Sequence, residues 1–149
     1  MSGRPLAIVA AALLALGTGA ATAATHRDPH TTQALLRIAR RFNADFSANR
    51  VGPVYDRWDA RSKQIIARAD YVRRHQECPR PPGPASVLGA ERSGPWWLVH
   101  YAISGLNLTD YWRYERGRWV FDLVRSNPQA VHLYRLPPAK YIAAIGCTP

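Results

Sequence analysis

The chain has 149 residues, a length that suits one domain and excludes two of ordinary size. Hydrophobic residues make up 47% of it, which is enough for a chain of this length to build its own core. Lys and Arg number 20 against 10 Asp and Glu, so the net charge is +10, and such a surface attracts polyanions and acidic lipid headgroups.

The N-terminal residues have the pattern of a secretory signal peptide. Arg4 supplies a positive charge, residues 6–16 form an apolar run too short to span a bilayer, and Ala21-Thr22-Ala23 matches an A-x-A cleavage site. We therefore predict a signal peptide over residues 1–23, with cleavage after Ala23 or Ala24 and no membrane anchor afterwards. An uncleaved anchor is the alternative.

A flexible leader is expected over residues 24–30, and residues 31–149 should form one domain with a helical first half. Thr31 or Thr32 can cap a helix that runs to about Ala48. Its apolar residues have the spacing of one helical face: Leu35, Ile38, Ala39, Phe42 and Phe46. After a break at Asn49 to Pro53, a second helix is predicted beyond its cap Asp59, followed by a separate short helix over residues 71–76.

The second half of the chain changes to alternating hydrophobicity, which is typical of strands. A Pro- and Gly-rich connector over residues 80–84 separates the halves. Strands are predicted over residues 85–91, 96–104, 108–114 and 118–124, and short helical stretches over 128–134 and 139–145. Helices followed by strands indicate an α+β class, with the N-terminal helices packed on an antiparallel sheet of about four or more strands.

Two turns set the expected register of the sheet. If Gly105-Leu106 and Arg116-Gly117 are two-residue hairpin loops, Tyr101 faces Asp110, and Asp110 in turn faces Leu123. The helix-covered face then carries most of the aromatic side chains, and four of these are candidate ligand-binding residues: Trp97, Tyr101, Trp112 and Tyr114. A slip of one residue would exchange the two faces.

Two polar groupings follow from this register. Tyr101 and Asp110 would meet under the helices, where burial raises the pKa of a carboxyl group and suits it to general acid or base catalysis. A structural hydrogen bond between them is the alternative. His100, Tyr111 and Asp122 would form a row on the other face, either as a proton relay or as a polar ladder facing solvent.

Cys78 and Cys147 are the two cysteines of the chain, and an even count in an exported protein favours a disulfide. Two free thiols are the alternative. The sequence contains no pattern that predicts a metal site or a cofactor.

The basic and aromatic residues leave a choice between binding and packing. Trp96 and Trp97 could stack on sugar rings or bases, or pack in the core. A polyanion-binding role requires one contiguous face of arginines: Arg37, Arg40, Arg41, Arg61, Arg73 and Arg74. Arg73-Arg74-His75 alone favours a solvated helix face, and the arginine bias also fits a GC-rich genome.

Four segments carry a resemblance to a group of uncharacterised secreted actinobacterial proteins: residues 58–62, 71–78, 96–99 and 111–121. Their layout is similar to the nuclear-transport-factor-2-like superfamily, the cystatin-like α+β cone. This resemblance implies helices lying in the hollow of a bent sheet. The superfamily includes isomerases with a carboxylate base and a tyrosine inside the cone, and also many non-enzymatic modules, so no activity is transferred from it.

We therefore expect a secreted, non-enzymatic module that binds an envelope partner or a small apolar ligand and has no specific nucleic-acid target. The alternatives are an extracellular isomerase- or hydrolase-like enzyme that uses Asp110 and Tyr101, and a protein that binds an anionic polymer. A module of the first kind predicts an interior filled by aromatic side chains, whereas an enzyme predicts an open pocket that reaches Asp110.

Overall fold

The computed structural model describes residues 27–79 and 82–147. Helices precede a four-stranded antiparallel sheet, so the predicted α+β class is confirmed. The predicted signal peptide and its cleavage site lie outside the described residues.

The first helix, α1 (Thr32–Ser47), has the expected bounds. The hydroxyl of Thr31 accepts a hydrogen bond from the Ala34 N–H at 3.1 Å, which satisfies one of the free donors of the first turn. The helix ends just before Asn49, whose φ of 57° lies in the left-handed region that ends helices. Its buried side chains, which include Leu35 and Phe42, face the sheet and the neighbouring helices.

The second helical region differs from the expectation in two places. Helix α2 (Val51–Asp56) begins inside the predicted break, because Gly52 and Pro53 fall in its first turn, where a missing backbone donor costs nothing. A 3₁₀ turn (Ser62–Gln64) follows Asp59, whose carboxylate caps it by accepting from the Ser62 N–H at 2.8 Å. Of the two helices predicted beyond Asp59, the first is mostly reduced to this 3₁₀ turn, and the second begins earlier than expected, as α3 (Arg68–Glu77).

The sheet is a simple meander of antiparallel neighbours. Its strands are β1 (Ala85–Ser93), β2 (Trp96–Ile103), β3 (Leu106–Glu115) and β4 (Arg118–Phe121). Strand β4 is shorter than predicted because the Asp122 carboxylate accepts from the Arg125 N–H at 2.8 Å and starts α4 (Leu123–Ser126). Helices α5 (Pro128–Arg135) and α6 (Pro138–Ala144) complete the chain, close to the predicted positions.

The register between β2 and β3 was predicted two residues away from the observed one. The turn is Ser104-Gly105, with φ values of 49° and 80°, and not Gly105-Leu106. Tyr101 therefore pairs with Leu108, and Asp110 with Val99. Because the error is an even number of residues, every side chain keeps its predicted face.

The turn between β3 and β4 is the predicted Arg116-Gly117, with Trp112 opposite Phe121 and Tyr114 opposite Trp119. The predicted pairing of Asp110 with Leu123 is wrong, since Leu123 already belongs to α4.

The residues just before α1 are held on the sheet, so the expectation of a flexible leader was wrong for them. The Asp28 carboxylate binds the Arg57 guanidinium and accepts from the Trp119 N–H at 2.9 Å. The Trp119 indole donates to the Pro29 carbonyl at 3.0 Å, and His30 stacks on Tyr114 with ring centroids 4.1 Å apart. These contacts close one end of the core.

The predicted disulfide between Cys78 and Cys147 is present, with a Cα–Cα distance of 6.1 Å. It joins the end of α3 to the residues after α6, across a separation of 69 residues. Among the residues that the structure describes, no helix has both the length and the apolar character needed to cross a membrane.

Candidate functional site

A cavity of about 410 Å³ opens between the inner face of the sheet and the helices. Its apolar walls come from α1, α2, the segment after α2, the end of β4 and the start of α4: Phe42, Phe46, Val54, Trp58, Phe121 and Leu123. Leu108 and residues 127–129 line it and are exposed, which places them at the opening. The volume lies within the range of pockets that bind small molecules.

Asp110 is the acidic residue of this pocket. It lies on the inner face of β3, opposite Val99, and only 5% of its surface is exposed. Burial raises its pKa to about 7, and the hydrogen bond from the Tyr101 hydroxyl offsets only part of that rise. The carboxyl group therefore exists in both protonation states near neutral pH and can accept or donate a proton there.

Tyr101 meets Asp110 as expected, although the two residues are not directly opposite each other. In the observed register they are diagonal neighbours on the same face, which long side chains can bridge. Burial and the adjacent Asp110 carboxyl raise the pKa of Tyr101, so its hydroxyl stays protonated and acts as a donor. The predicted pair was therefore correct in membership and wrong in register.

A second polar group lines the pocket from the helical side and was missed in the sequence. Tyr134 on α5 and Tyr71 on α3 both line the cavity. The His75 Nε2 lies 3.0 Å from the Tyr134 hydroxyl, and burial lowers the pKa of His75 to about 4, so its imidazole is neutral at neutral pH. Burial also raises the pKa of Tyr71 and Tyr134, so both hydroxyl groups remain protonated.

This group escaped detection because Arg73-Arg74-His75 was interpreted as a solvated face. Arg73 is exposed, but Arg74 and His75 are buried. Arg74 donates to the carbonyls of Tyr134 and Leu136 at 3.3 and 2.9 Å. The usable signal was the spacing of Tyr71 and His75, which lie four residues apart and therefore on one helical face.

Two buried donors beside the cavity have no hydrogen-bond partner among the described residues. They are the Asn43 side-chain amide and the Trp58 indole N–H, and both residues line the pocket. A buried donor left without a partner is unfavourable. A hydrogen-bond acceptor on a bound molecule is one way to satisfy them.

Three of the four predicted ligand-binding aromatics lie outside the cavity lining. Trp112 is fully buried beside Phe42, with ring centroids 5.2 Å apart. Trp97 packs edge-on against Trp119 at 5.8 Å, and Tyr114 donates its hydroxyl hydrogen to the Asp28 carbonyl. These side chains fill the core instead, and of the four only Tyr101 lines the pocket.

The outer-face row does not form the predicted relay. His100 pairs with Thr109, and its Nδ1 lies 3.0 Å from the Thr109 hydroxyl, while Tyr111 pairs with Leu98. The Asp122 carboxylate is occupied as the cap of α4. The observed contacts are those of a polar ladder and a helix cap.

Several side chains that the sequence suggested for binding sugars, bases or polyanions contact neighbouring side chains in the structure instead. The guanidinium groups of Arg113 and Arg125 lie 4.4 and 4.7 Å from the centre of the Trp96 ring, so this ring is covered by cations. Arg41 pairs with Asp45, and Arg73 with Asp70. Arg74 is buried and cannot contribute to an exposed face of arginines, whereas the other five of the six are exposed.

Within the ranges that the structure describes, no group of three or more His, Cys, Asp or Glu side chains is arranged to hold a metal ion. Comparisons with protein-family models, with curated proteins and with solved structures found no match for this chain. The assignment of function therefore depends on the geometry of the pocket.

Proposed function

We propose that the cavity binds a small, largely apolar molecule whose polar group meets Asp110 and Tyr101. The observation that carries this proposal is a buried carboxyl group on the wall of a cavity of about 410 Å³ that opens to the surface. The lining combines apolar side chains with polar groups from the sheet, Asp110 and Tyr101, and from the helices, Tyr71 and Tyr134. Apolar walls with polar groups that can orient a ligand are typical of a small-molecule site.

The pocket is open and reaches Asp110, which is the outcome expected of the enzyme alternative, whereas a non-enzymatic module predicted a filled interior. Ligand binding and catalysis both require such an open site. The Tyr101 hydroxyl already donates to Asp110, whereas the protonated form of Asp110, the Asn43 amide and the Trp58 indole can donate to a ligand. A ligand with at least one acceptor group, such as a carbonyl, would complement them. Membership of the nuclear-transport-factor-2-like superfamily stays a prediction, since no comparison identifies it.

The binding test uses a matched pair of variants and Nile red, a neutral apolar dye with a carbonyl acceptor. Ala130 is half-buried on α5 and lines the cavity, so Ala130→Phe places a large side chain against the binding space. Ala139 on α6 is exposed, so Ala139→Phe is the control. We expect the first variant to weaken dye binding at least fivefold and the second less than twofold. Equal binding by both variants and the wild type would contradict the proposal.

Acid–base catalysis is the second candidate, and the pKa of Asp110 near 7 is the observation that favours it. A carboxylate in this environment can remove a proton from a bound carbon acid while a tyrosine hydroxyl stabilises the resulting anion. The test is hydrogen–deuterium exchange of a small apolar ketone, cyclohexanone, followed by NMR in heavy water. Asp110→Asn should reduce a catalysed exchange by at least about a hundredfold. If the exchange is equally fast without the protein, the catalytic proposal fails and only ligand binding remains.

Export to the cell envelope is also part of the proposal. The N-terminal pattern of charge, apolar run and A-x-A site supports it, and so does the disulfide, which persists in oxidising compartments. Expression of the full chain in a bacterial host, followed by fractionation and N-terminal sequencing, should give an extracytoplasmic protein that begins at Ala24 or Thr25. A cytoplasmic product that retains residues 1–23 would contradict it.

A further inference from the structure

The free end of the sheet next to the pocket combines exposed leucines with an absence of charge. Within the described residues, the exposed large hydrophobic side chains are Leu88, Leu106 and Leu108, at 61%, 62% and 40% exposure. Leu106 follows the turn between β2 and β3 directly, and Leu108 pairs with Tyr101 on the next strand. Leu88 lies at a register irregularity of β1, beside Val87, which also pairs with Tyr101. The three leucines therefore lie at the same end of the sheet, and we call them the leucine tip.

The sequence around the leucine tip has an unusual distribution of charge. Residues 82–90 and 93–109 contain no Asp, Glu, Lys or Arg, although the chain as a whole is 20% charged. The acidic and basic side chains of the described residues lie outside these two ranges, on the helices and on other parts of the strands. An uncharged hairpin with exposed leucines at its end can enter the interface of a bilayer without moving a charge out of water.

We propose that the leucine tip inserts into the surface of an anionic lipid membrane. The net charge is +10 for the whole chain and one less without residues 1–23, and it attracts the protein to acidic headgroups. The tip itself has no acidic side chain that those headgroups would repel. The exposed area of three leucines is a few hundred Å² at most. That area is small for a stable protein–protein interface, which needs about 800 Å² from each partner, but it is sufficient for shallow insertion when long-range attraction adds to it.

Docking of the leucine tip on a membrane would also affect the pocket, because the tip lies next to the pocket opening. Leu108 belongs to both the leucine tip and the lining of the cavity, so insertion would bring the pocket opening to the lipid surface. An apolar ligand could then pass between bilayer and pocket without crossing water. This consequence rests on the proposed function, whereas membrane docking does not.

The test is co-sedimentation with sucrose-loaded vesicles, either pure phosphatidylcholine or an equal mixture with phosphatidylglycerol. The protein begins at Ala24, because the apolar run at residues 6–16 would bind vesicles by itself; this form retains all the described helices and strands and both cysteines. The wild type should bind the anionic vesicles much more tightly than the neutral ones. Moderate salt should weaken this binding without abolishing it.

Two double variants separate insertion from electrostatic attraction. Leu106→Thr with Leu108→Thr removes apolar surface without changing the charge, and a β-branched residue suits a strand. Ala60→Thr with Ala139→Thr is the control at two exposed positions away from the tip. We expect the leucine variant to bind anionic vesicles at least tenfold more weakly and the control to remain within twofold, with unchanged circular dichroism for both.

Several outcomes would overturn the proposal. They are failure of the wild type to bind anionic vesicles, equal binding by the wild type and the leucine variant, and a wild-type dimer that binds no vesicles and that the leucine variant converts to a monomer. The last result would assign the tip to contacts between copies of the chain. Nile red binding in the absence of vesicles tests the pocket separately, so failure of one proposal is distinguishable from failure of the other.

Discussion

The two ends of the inner sheet face differ in how completely their side chains fill the space beneath the helices. At one end, which we call the filled half, Trp97 and Tyr114 pack against Trp119, and Trp112 packs against Phe42. Trp112 and Trp119 are fully buried. At the other end, the open half, Tyr101, Leu106, Leu108 and Asp110 leave the cavity and an exposed apolar tip. The filled half and the open half lie on the same face of the same sheet.

This difference shows that side-chain volume, and not backbone topology, decides where the cavity lies. Indole rings occupy the filled half, and the segment with Asp28 and His30 closes it from outside. On the sheet, the open half has smaller aliphatic side chains, and the cavity there is bounded by residues of α1, α3 and α5. Stability should therefore depend mainly on the first region and ligand binding on the second.

The largest expected effect comes from truncating one residue in each half. Trp119→Ala removes a fully buried indole and its hydrogen bond to the Pro29 carbonyl, so it should cost about 4–5 kcal/mol of unfolding free energy. Leu108→Ala, at a 40% exposed position, should cost about 1 kcal/mol or less. Urea unfolding measures both. Similar costs for the two variants would show that the halves do not differ in packing.

The disulfide fastens the helical wall of the open half. Cys78 follows α3, and Cys147 follows α6, whose Tyr141 ring lies 4.9 Å from the Arg74 guanidinium. Cys78→Ser with Cys147→Ser should cost about 4 kcal/mol, because the bridge closes a long loop in the unfolded chain. Hydrogen exchange should quicken more in α5 and α6 than in β3 and β4.

The control for this measurement is the effect of a reductant. Dithiothreitol should destabilise the wild type by a similar amount and leave the double serine variant unchanged. Exchange that quickens equally in helices and strands would mean that the bridge does not act on the open half in particular.

Asp28 fastens the filled half, and its substitution should have an intermediate effect. Burial raises the pKa of this carboxyl group, but hydrogen bonds from Arg57 and the Trp119 N–H outweigh burial and leave the pKa below its ordinary value of 3.8. Asp28→Ala should therefore cost about 2–3 kcal/mol at neutral pH. The contribution is present above about pH 4 and is lost as the pH falls through the lowered pKa.

Asp70→Ala is the matched control, since Asp70 forms an exposed ion pair with Arg73. Its unfolding free energy should change by less than about 1 kcal/mol. If both variants are equally stable, the segment before α1 does not hold the filled half closed.

The sequence was sufficient for the α+β class, the order of the four strands, the disulfide and the two faces of the sheet, but not for α2, for α4 or for the site. Alternation along β2 and β3 fixed which side chains point inward, and an even register error left that result intact. The turn itself was misplaced because Ser104-Gly105 and Gly105-Leu106 both contain the glycine that a tight hairpin needs. Local pattern cannot choose between them.

The tyrosine–histidine side of the pocket was not predictable for a different reason. Tyr134 and His75 are 59 residues apart, and their contact depends on how α5 folds back towards α3. Likewise, the row of indoles on the sheet suggested a ligand site, whereas the free volume lies beside Tyr101, Leu108 and Asp110, away from those indoles. Cavities arise from long-range packing, which a list of side chains in one strand does not contain.

The effect expected to be smallest in the wild type is the dependence of its stability on pH, and this dependence tests the open half directly. The pKa of Asp110 is raised to about 7 by burial, so between about pH 4 and 7 the folded protein keeps a proton that the unfolded chain loses, and stability falls as the pH rises. His75 acts in the opposite direction: with its pKa lowered to about 4, folding excludes a proton that the unfolded chain binds below pH 6.5, so stability rises with pH over this window. The two contributions offset each other in the wild type.

The variant Asp110→Asn loses the contribution of Asp110 to the pH dependence of stability and keeps that of His75. Relative to the wild type, this variant should become more stable by up to about 1.4 kcal/mol for each pH unit between 4 and 7, and should show no further gain above that range. Urea unfolding at four pH values between 4.5 and 7.5 measures the slope, and the exposed Asp70→Asn should run parallel to the wild type. A constant difference between wild type and Asp110→Asn would mean that Asp110 titrates as an ordinary surface carboxylate, and the acid–base role of the pocket would fail with it.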